Sequence, residues 1–137
     1  MLSWIAAHLP FMRRVPVLPH LLDAALLAHT LAGHPERARA MHTLEAEVLS
    51  WPGVTSRAHR YGGAEFRVGG REIGHLHGHG LLDILFTRNV RDQLMEAKLA
   101  RPHHIFPLSS WVSFDVRAAA DVPKALTLLR LSYESKP

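Results

Sequence analysis

The sequence predicts a single α+β domain: an antiparallel sheet of about five strands flanked by helices, preceded by an N-terminal helical arm. Three observations predict it. Apolar residues recur at helical spacing near both ends of the chain, the period changes to two between Val54 and Phe86, and glycine turns between those strands leave connections too short for parallel crossovers. A length of 137 residues suits one core, since domains commonly run about 100–150 residues. A composition 47% hydrophobic and 20% charged is that of an ordinary globular chain.

From Pro19 to Leu31 the residues Leu21, Leu22, Ala25, Leu26 and Leu31 fall on one helical face, with Pro19 suited to a first turn. This helix is read as part of an arm, residues 1–34, that packs on a domain formed by residues 35–137. Covering the core, acting as a lid and touching a membrane surface are all open roles for it. Pro35 starts a second helix with the stripe Met41, Leu44 and Val48, and Trp51-Pro52-Gly53 stops it.

Four strands follow: Val54 to Arg60, Ala64 to Val68, Arg71 to His77 and Leu81 to Phe86. Gly69-Gly70 makes a two-residue turn, because the tight hairpin types need the positive φ that glycine adopts freely. Counting from that turn, Val68 faces Arg71, Arg67 faces Glu72 as an ion pair, and Phe66 faces Ile73, so that His75 and His77 share the side of Phe66 and Ile73. Gly78-His79-Gly80 reads as a three-residue hairpin loop that sets His77 opposite Leu81 and His75 opposite Asp83. Leu82, Ile84 and Phe86 make the other side of the fourth strand apolar as well, which suits a central strand covered on both faces.

Thr87 caps a helix running to about Ala100, with Val90, Leu94 and Ala97 inward and Arg101-Pro102 ending it. Trp111 to Val116 alternates as a strand with Val112, Phe114 and Val116 on one face. Asp121 then caps a last helix that turns Val122, Ala125, Leu126, Leu129 and Tyr133 inward.

Composition narrows the chemistry. With no cysteine, disulfides, thiolate metal sites and cysteine nucleophiles are absent, and a cytoplasmic location is the expectation. The formal charge of +4 comes from sixteen scattered Lys and Arg residues, without the dense basic run of a nucleic-acid-binding tail. Pro10, Arg13, Arg14, Pro16, Pro19 and Asp23 break the apolar N-terminal stretch before it reaches the ~20 residues of a membrane span. A signal peptide is not expected either, because no basic region precedes the stretch. There is no G-x-x-x-x-G-K-[ST] loop and no H-E-x-x-H, and the serines near the histidines lack a nucleophile-elbow pattern, so no nucleotide cofactor or serine hydrolase is indicated.

What remains is a concentration of imidazoles. His75, His77, His79, Asp83, His103 and His104 place six groups able to move protons or ligate a metal within thirty residues. Residues two apart on a strand point to the same side, so His75 and His77 can converge on one ion, with Asp83, His103 or His104 as a third ligand. The same residues can work without a metal: an imidazole with pKa near 6.5 accepts a proton from an enol while a carboxylate such as Asp83 orients it. Arg88 can hold a substrate anion or be a solvated surface residue, and Trp111 can wall a pocket or belong to the core.

The set Glu72-Ile73-Gly74-His75-Leu76-His77-Gly78, Asp83, Arg88, His103-His104, Pro107, Ser109, Trp111-Val112-Ser113-Phe114 and Leu131-Ser132-Tyr133-Glu134 resembles the luciferase-domain family, which includes the fungal luciferases and many bacterial proteins. The resemblance implies a cofactor-independent oxygenase with dioxygen as co-substrate, acting on an enolic small molecule such as the 3-hydroxy-α-pyrone 3-hydroxyhispidin. It implies that His75 or His77 deprotonates the enol, that Asp83 orients the imidazole, and that Arg88 or His104 holds the resulting anion, with His103 counted among the catalytic residues. Ser109, Trp111 and His79 would line the substrate pocket, and His75, His77 and His104 would ligate a metal if one is bound. This chain has Ser110 where the family motif has glycine before the tryptophan, and an N-terminal membrane segment like that of the fungal enzymes is not expected in it. A looser resemblance, in the order of elements and the ending W-V-S-F, helix, L-S-Y-E, is to the MmcQ/YjbR-like fold and implies DNA binding. A non-catalytic module for small molecules or metals is the other alternative.

Overall fold

The computed structural model describes residues 17–135, so the expected interruptions at Pro10, Arg13, Arg14 and Pro16 lie outside the described residues. Helix α1 spans Leu18–Gly33 and α2 Pro35–Leu49; strands β1 Thr55–Ala58, β2 Ala64–Val68, β3 Arg71–Leu76 and β4 Leu81–Leu85 follow. Then come α3 (Arg88–Glu96), β5 (Arg101–Pro102), β6 (Trp111–Asp115), a 3-10 turn at Ala119–Asp121 and α4 (Val122–Glu134). The strands form one antiparallel sheet in the order β1-β2-β3-β4-β6-β5. The α+β class and the flanking helices are as the sequence predicts, and no helix of the described residues is long and apolar enough to cross a membrane.

The expected stripe Met41, Leu44 and Val48 of α2 is buried, as are Val122, Ala125 and Leu129 of α4. The two helices pack on each other, and α4 lies on β3 and β4. Phe66, Leu76, Leu82, Ile84 and Val112 from the sheet complete this core. Gly74 is where the helix comes closest: a Cβ there would stand 2.9 Å from both Leu129 Cδ2 and the backbone oxygen of Asp83. Only a residue without a side chain lets α4 settle on the sheet at that point.

Several local expectations change. The pairs Val68 with Arg71 and Arg67 with Glu72 form as counted, but a β-bulge then sets Phe66 opposite Gly74 instead of Ile73. One extra residue on β3 turns both Ile73 and Gly74 toward the core, so His75 and His77 lie on the opposite face from Phe66 and Ile73. The expected Arg67–Glu72 ion pair does not form: Arg67 donates to Glu65 and to the Gly70 carbonyl, and Glu72 turns to His75. The next hairpin matches the count, with His75 opposite Asp83, His77 N–H donating to Leu81 O at 2.9 Å, and Gly80 at φ +88.

Thr87 caps α3, its Oγ1 accepting from Val90 N, yet the helix stops at Glu96 and leaves Ala97 exposed. Arg101-Pro102, expected only to end that helix, forms a sixth strand at the sheet edge, where proline's missing N–H does no harm. Asp121 makes no cap on α4; its carboxylate instead accepts from Arg117 N and Ala118 N across the 3-10 turn. In α1, Leu21 and Leu31 are exposed by 62% and 60%, which removes them from the expected inward face.

Replacing Gly74 by alanine is expected to lower stability by about 1–3 kcal/mol, the usual range for overpacking a tight core. The contact with the Asp83 backbone oxygen cannot be relieved by a rotamer change. A urea midpoint equal to that of the wild type would refute this account of how α4 seats.

A candidate histidine–carboxylate site

The face of the sheet turned away from the core forms the base of a cavity of about 740 Å³. Alternation along β3, β4 and β6 directs His75, Asp83 and Ser113 to this face, in cross-strand register with one another. His77 follows from the end of β3, and the segment after β5 supplies His103 and His104. Leu22 and Leu26 of α1, Ile105, Phe106 and Trp111 add apolar lining, while Arg57, Arg60 and Tyr61 line it on the β1 side.

The centre is Asp83, fully buried. Its Oδ1 accepts from the Ser113 hydroxyl. Its Oδ2 faces four imidazoles: His77 Nε2 at 3.1 Å, His75 Nε2 and His103 Nε2 at 3.4 Å, and His104 Nδ1 at 3.5 Å. Only the His77 contact is a hydrogen bond; a carboxylate oxygen has room for about two donors.

The outer nitrogens are also committed. His75 Nδ1 lies 2.6 Å from Glu72 Oε1, and His77 Nδ1 faces Asp23 Oδ1 at 3.7 Å. His103 Nδ1 accepts backbone N–H groups from Ile105 and Phe106, at 3.2 and 3.0 Å. That fixes its neutral form with the proton on Nε2, directed at Asp83. His59 stacks on His75 with ring centroids 3.8 Å apart and accepts Tyr61 N–H on Nδ1. His104 Nδ1 and His79 Nδ1 are buried without a hydrogen-bond partner.

Electrostatics follow from this packing. Burial by itself disfavours charge on His77, but Asp23 and Asp83 outweigh it and hold its pKa up at about 9. His75 is raised in the same way, Asp83 and Glu72 outweighing burial. Burial would raise the Asp83 carboxyl, yet the surrounding histidines hold it far below the usual carboxylate range. Burial, then the charges of His75 and His77, push His59 down to about 3, and His79 is lowered by burial and by His77. Asp23 is lowered because His77 and the Gly78 N–H outweigh its burial.

Of the residues singled out in the sequence, His75, His77, His79, Asp83, His103, His104 and Trp111 all line the cavity. Arg88 is exposed at the start of α3 and Ser109 is occupied in its own turn, donating to Phe106 O and accepting from Trp111 N; neither lines it. Three participants were not among the expected site residues. Glu72 reaches His75 only because of the bulge, and His59 only through stacking. Asp23 carried a signal, as the one acid in the otherwise apolar helix α1.

Asp23 also fixes that helix over the cavity. Its Oδ1 accepts Gly78 N–H at 2.8 Å. A Cβ on Gly78 would stand 2.5 Å from Asp23 O and 2.6 Å from Leu27 N, and one on Gly62 would stand 2.8 Å from Pro19 O. Two glycines therefore let α1 rest directly on the loops beneath it.

Fold and site together define an α+β domain with a small-molecule-sized cavity over a buried histidine–carboxylate cluster. The Luciferase domain family model matches residues 70–132, and this stretch is similar to that family. The match runs from β3 into α4, just under half of the chain, and contains Asp83 and the four imidazoles around it. Searches of curated proteins and of solved structures gave no match.

Replacing Gly78 by alanine is expected to lift α1 from the sheet without unfolding the core. Amide hydrogen exchange should speed up across α1 while β4 keeps its protection; unchanged exchange in α1 would contradict the seating described.

Proposed function

We propose that the protein is an oxygenase that binds an enolic small molecule in the cavity and delivers it, as its anion, to dioxygen. The observation that carries this reading is the ring of four imidazole nitrogens around one buried carboxylate oxygen at the base of an apolar-walled cavity. A volume of about 740 Å³ falls in the range of about 300–1,000 Å³ typical of small-molecule sites. The Luciferase domain match over the same residues supports a luciferase-like protein, and the resemblance of its histidine motif to the fungal luciferases makes a 3-hydroxy-α-pyrone the substrate of choice.

The roles shift from those the resemblance implies. Both nitrogens of His75 and of His77 are turned to carboxylates, and His103 carries its proton on the nitrogen that faces Asp83. His104 turns only one nitrogen to a carboxylate, its Nδ1 standing 3.5 Å from Asp83 Oδ2. With its ring proton on Nδ1, toward Asp83, His104 takes the enol proton at Nε2. The electron pair left behind delocalises onto the adjacent ring carbon, which forms a bond to dioxygen; the substrate carbon is oxidised as dioxygen is reduced to a peroxide. Trp111, Ile105 and Phe106 supply the flat apolar surface against which a conjugated ring packs.

The test is oxygen consumption by purified protein given 3-hydroxyhispidin in air. Wild type is expected to consume oxygen, and His104→Gln to lose about 10²-fold or more in kcat, the scale of a lost general base. Uptake retained by His104→Gln would remove this residue from the role, and no uptake by wild type, with no binding of the pyrone, would refute the reading.

A further inference from the structure

We propose that His75 Nε2, His77 Nε2 and Asp83 Oδ2 form a three-ligand site for one divalent first-row transition metal ion. Among the described residues, three groups of histidine and acid are close enough to hold an ion: His59, Glu72 and His75; Asp83, His103 and His104; and His75, His77 and Asp83. Hydrogen bonding separates them.

A histidine ligates through an unprotonated nitrogen. His103 Nδ1 accepts two backbone N–H groups, so its proton sits on Nε2, the nitrogen facing Asp83, and that nitrogen has no lone pair to give. His59 Nδ1 accepts from Tyr61 N, so its Nε2, 3.7 Å from Glu72, carries the proton. The first two groups each lose a ligand on this ground.

The third group has the opposite pattern. Glu72 stands at His75 Nδ1 and Asp23 faces His77 Nδ1, so each ring can keep a proton on its outer nitrogen while an ion displaces the one on the inward-pointing Nε2. Metal-ligating histidines nearly always have their other nitrogen paired in this way, which fixes the tautomer and raises ligand basicity. The contacts of 3.4 Å from His75 Nε2 and 3.1 Å from His77 Nε2 to Asp83 Oδ2 match the edges of about 3.0–3.5 Å expected between ligands that each stand about 2.0–2.2 Å from one ion. Ser113 and the His103 N–H engage Asp83 from its other sides and orient it as a ligand.

A set of two imidazoles and one carboxylate, with open positions toward a cavity, takes iron(II), manganese(II), cobalt(II) or zinc(II). Binding needs no oxygenase activity and stands apart from it; only a preference for iron(II) rests on the oxygenase reading. His104, whose Nδ1 lies 3.5 Å from Asp83 Oδ2, remains beside the ion and receives a substrate proton at Nε2.

Cobalt(II) is the probe. Chelator-treated protein titrated with cobalt(II) is expected to bind one equivalent, to gain visible d–d absorption, and to rise in Tm as cobalt is added. His75→Gln, His77→Gln and Asp83→Asn should each abolish the absorption. Glu72→Gln, which keeps all three ligands, should weaken binding about 10–100-fold, the usual effect of changing the group that pairs a ligating histidine's other nitrogen; circular dichroism of each metal-free variant separates lost ligation from lost folding. No stoichiometric cobalt binding by the folded wild type would overturn the site, as would an undiminished spectrum in the folded ligand variants. Cobalt binding without oxygen consumption by the iron(II)-loaded protein would leave the site standing and refute the oxygenase, while full oxygen consumption by chelated protein that binds no cobalt would do the reverse.

Discussion

The site and the sheet around it depend on the burial of one carboxylate. Asp83 sits fully buried on β4, with β3 on one side and β6 on the other. Placing an unpaired charge there costs on the order of several kcal/mol, so the fold is viable only if neighbouring elements supply polar partners. β6 brings the Ser113 hydroxyl, β3 brings His75 and His77, and the segment after β5 brings His103 and His104. Elements from three stretches of the chain meet at one carboxylate, and this fixes the cross-strand register as firmly as the apolar core on the other side does.

The bulge in β3 makes the two demands compatible. Without it, strict alternation from the Gly69-Gly70 turn would put His75 on the side of Phe66, against α4, with no acid within reach. The extra residue turns Ile73 and Gly74 both to the core and moves His75 and His77 to the cavity. It also releases Glu72 from Arg67 and lets it reach His75 Nδ1 at 2.6 Å, a contact between residues three apart that a regular strand would not make. Gly74 then serves the core face by letting Leu129 approach.

Much of this was legible in the sequence for identifiable reasons. Period-two alternation and glycine turns located β2, β3 and β4, and the three-residue loop gave the pairing of His75 with Asp83. The density of histidines marked the site. What the sequence did not disclose depends on events without a local pattern. A bulge leaves no signature in Glu72-Ile73-Gly74, so the facing of His75 and the Arg67–Glu72 pair came out reversed. Arg101-Pro102 reads as a helix stop and becomes a strand only because β6 offers an edge. Leu21 and Leu31 look like core by their spacing, yet α1 turns Asp23, Leu22 and Leu26 to the cavity, because the Gly78 N–H and His77 reward an acid on that face.

That choice of face links the arm to the chemistry. A helix seated by leucines alone would close the cavity with a non-directional contact. Asp23 instead holds α1 through the Gly78 backbone and at the same time places a carboxylate opposite His77 Nδ1. Moving α1 therefore removes both a wall of the cavity and the charge that keeps a proton on the outer nitrogen of His77. Whether the inner nitrogens hold protons or an ion, their disposition is coupled to whether the helix is in place. A substrate that must pass α1 to enter would meet the cluster in its final electrostatic state only after the helix has settled over it.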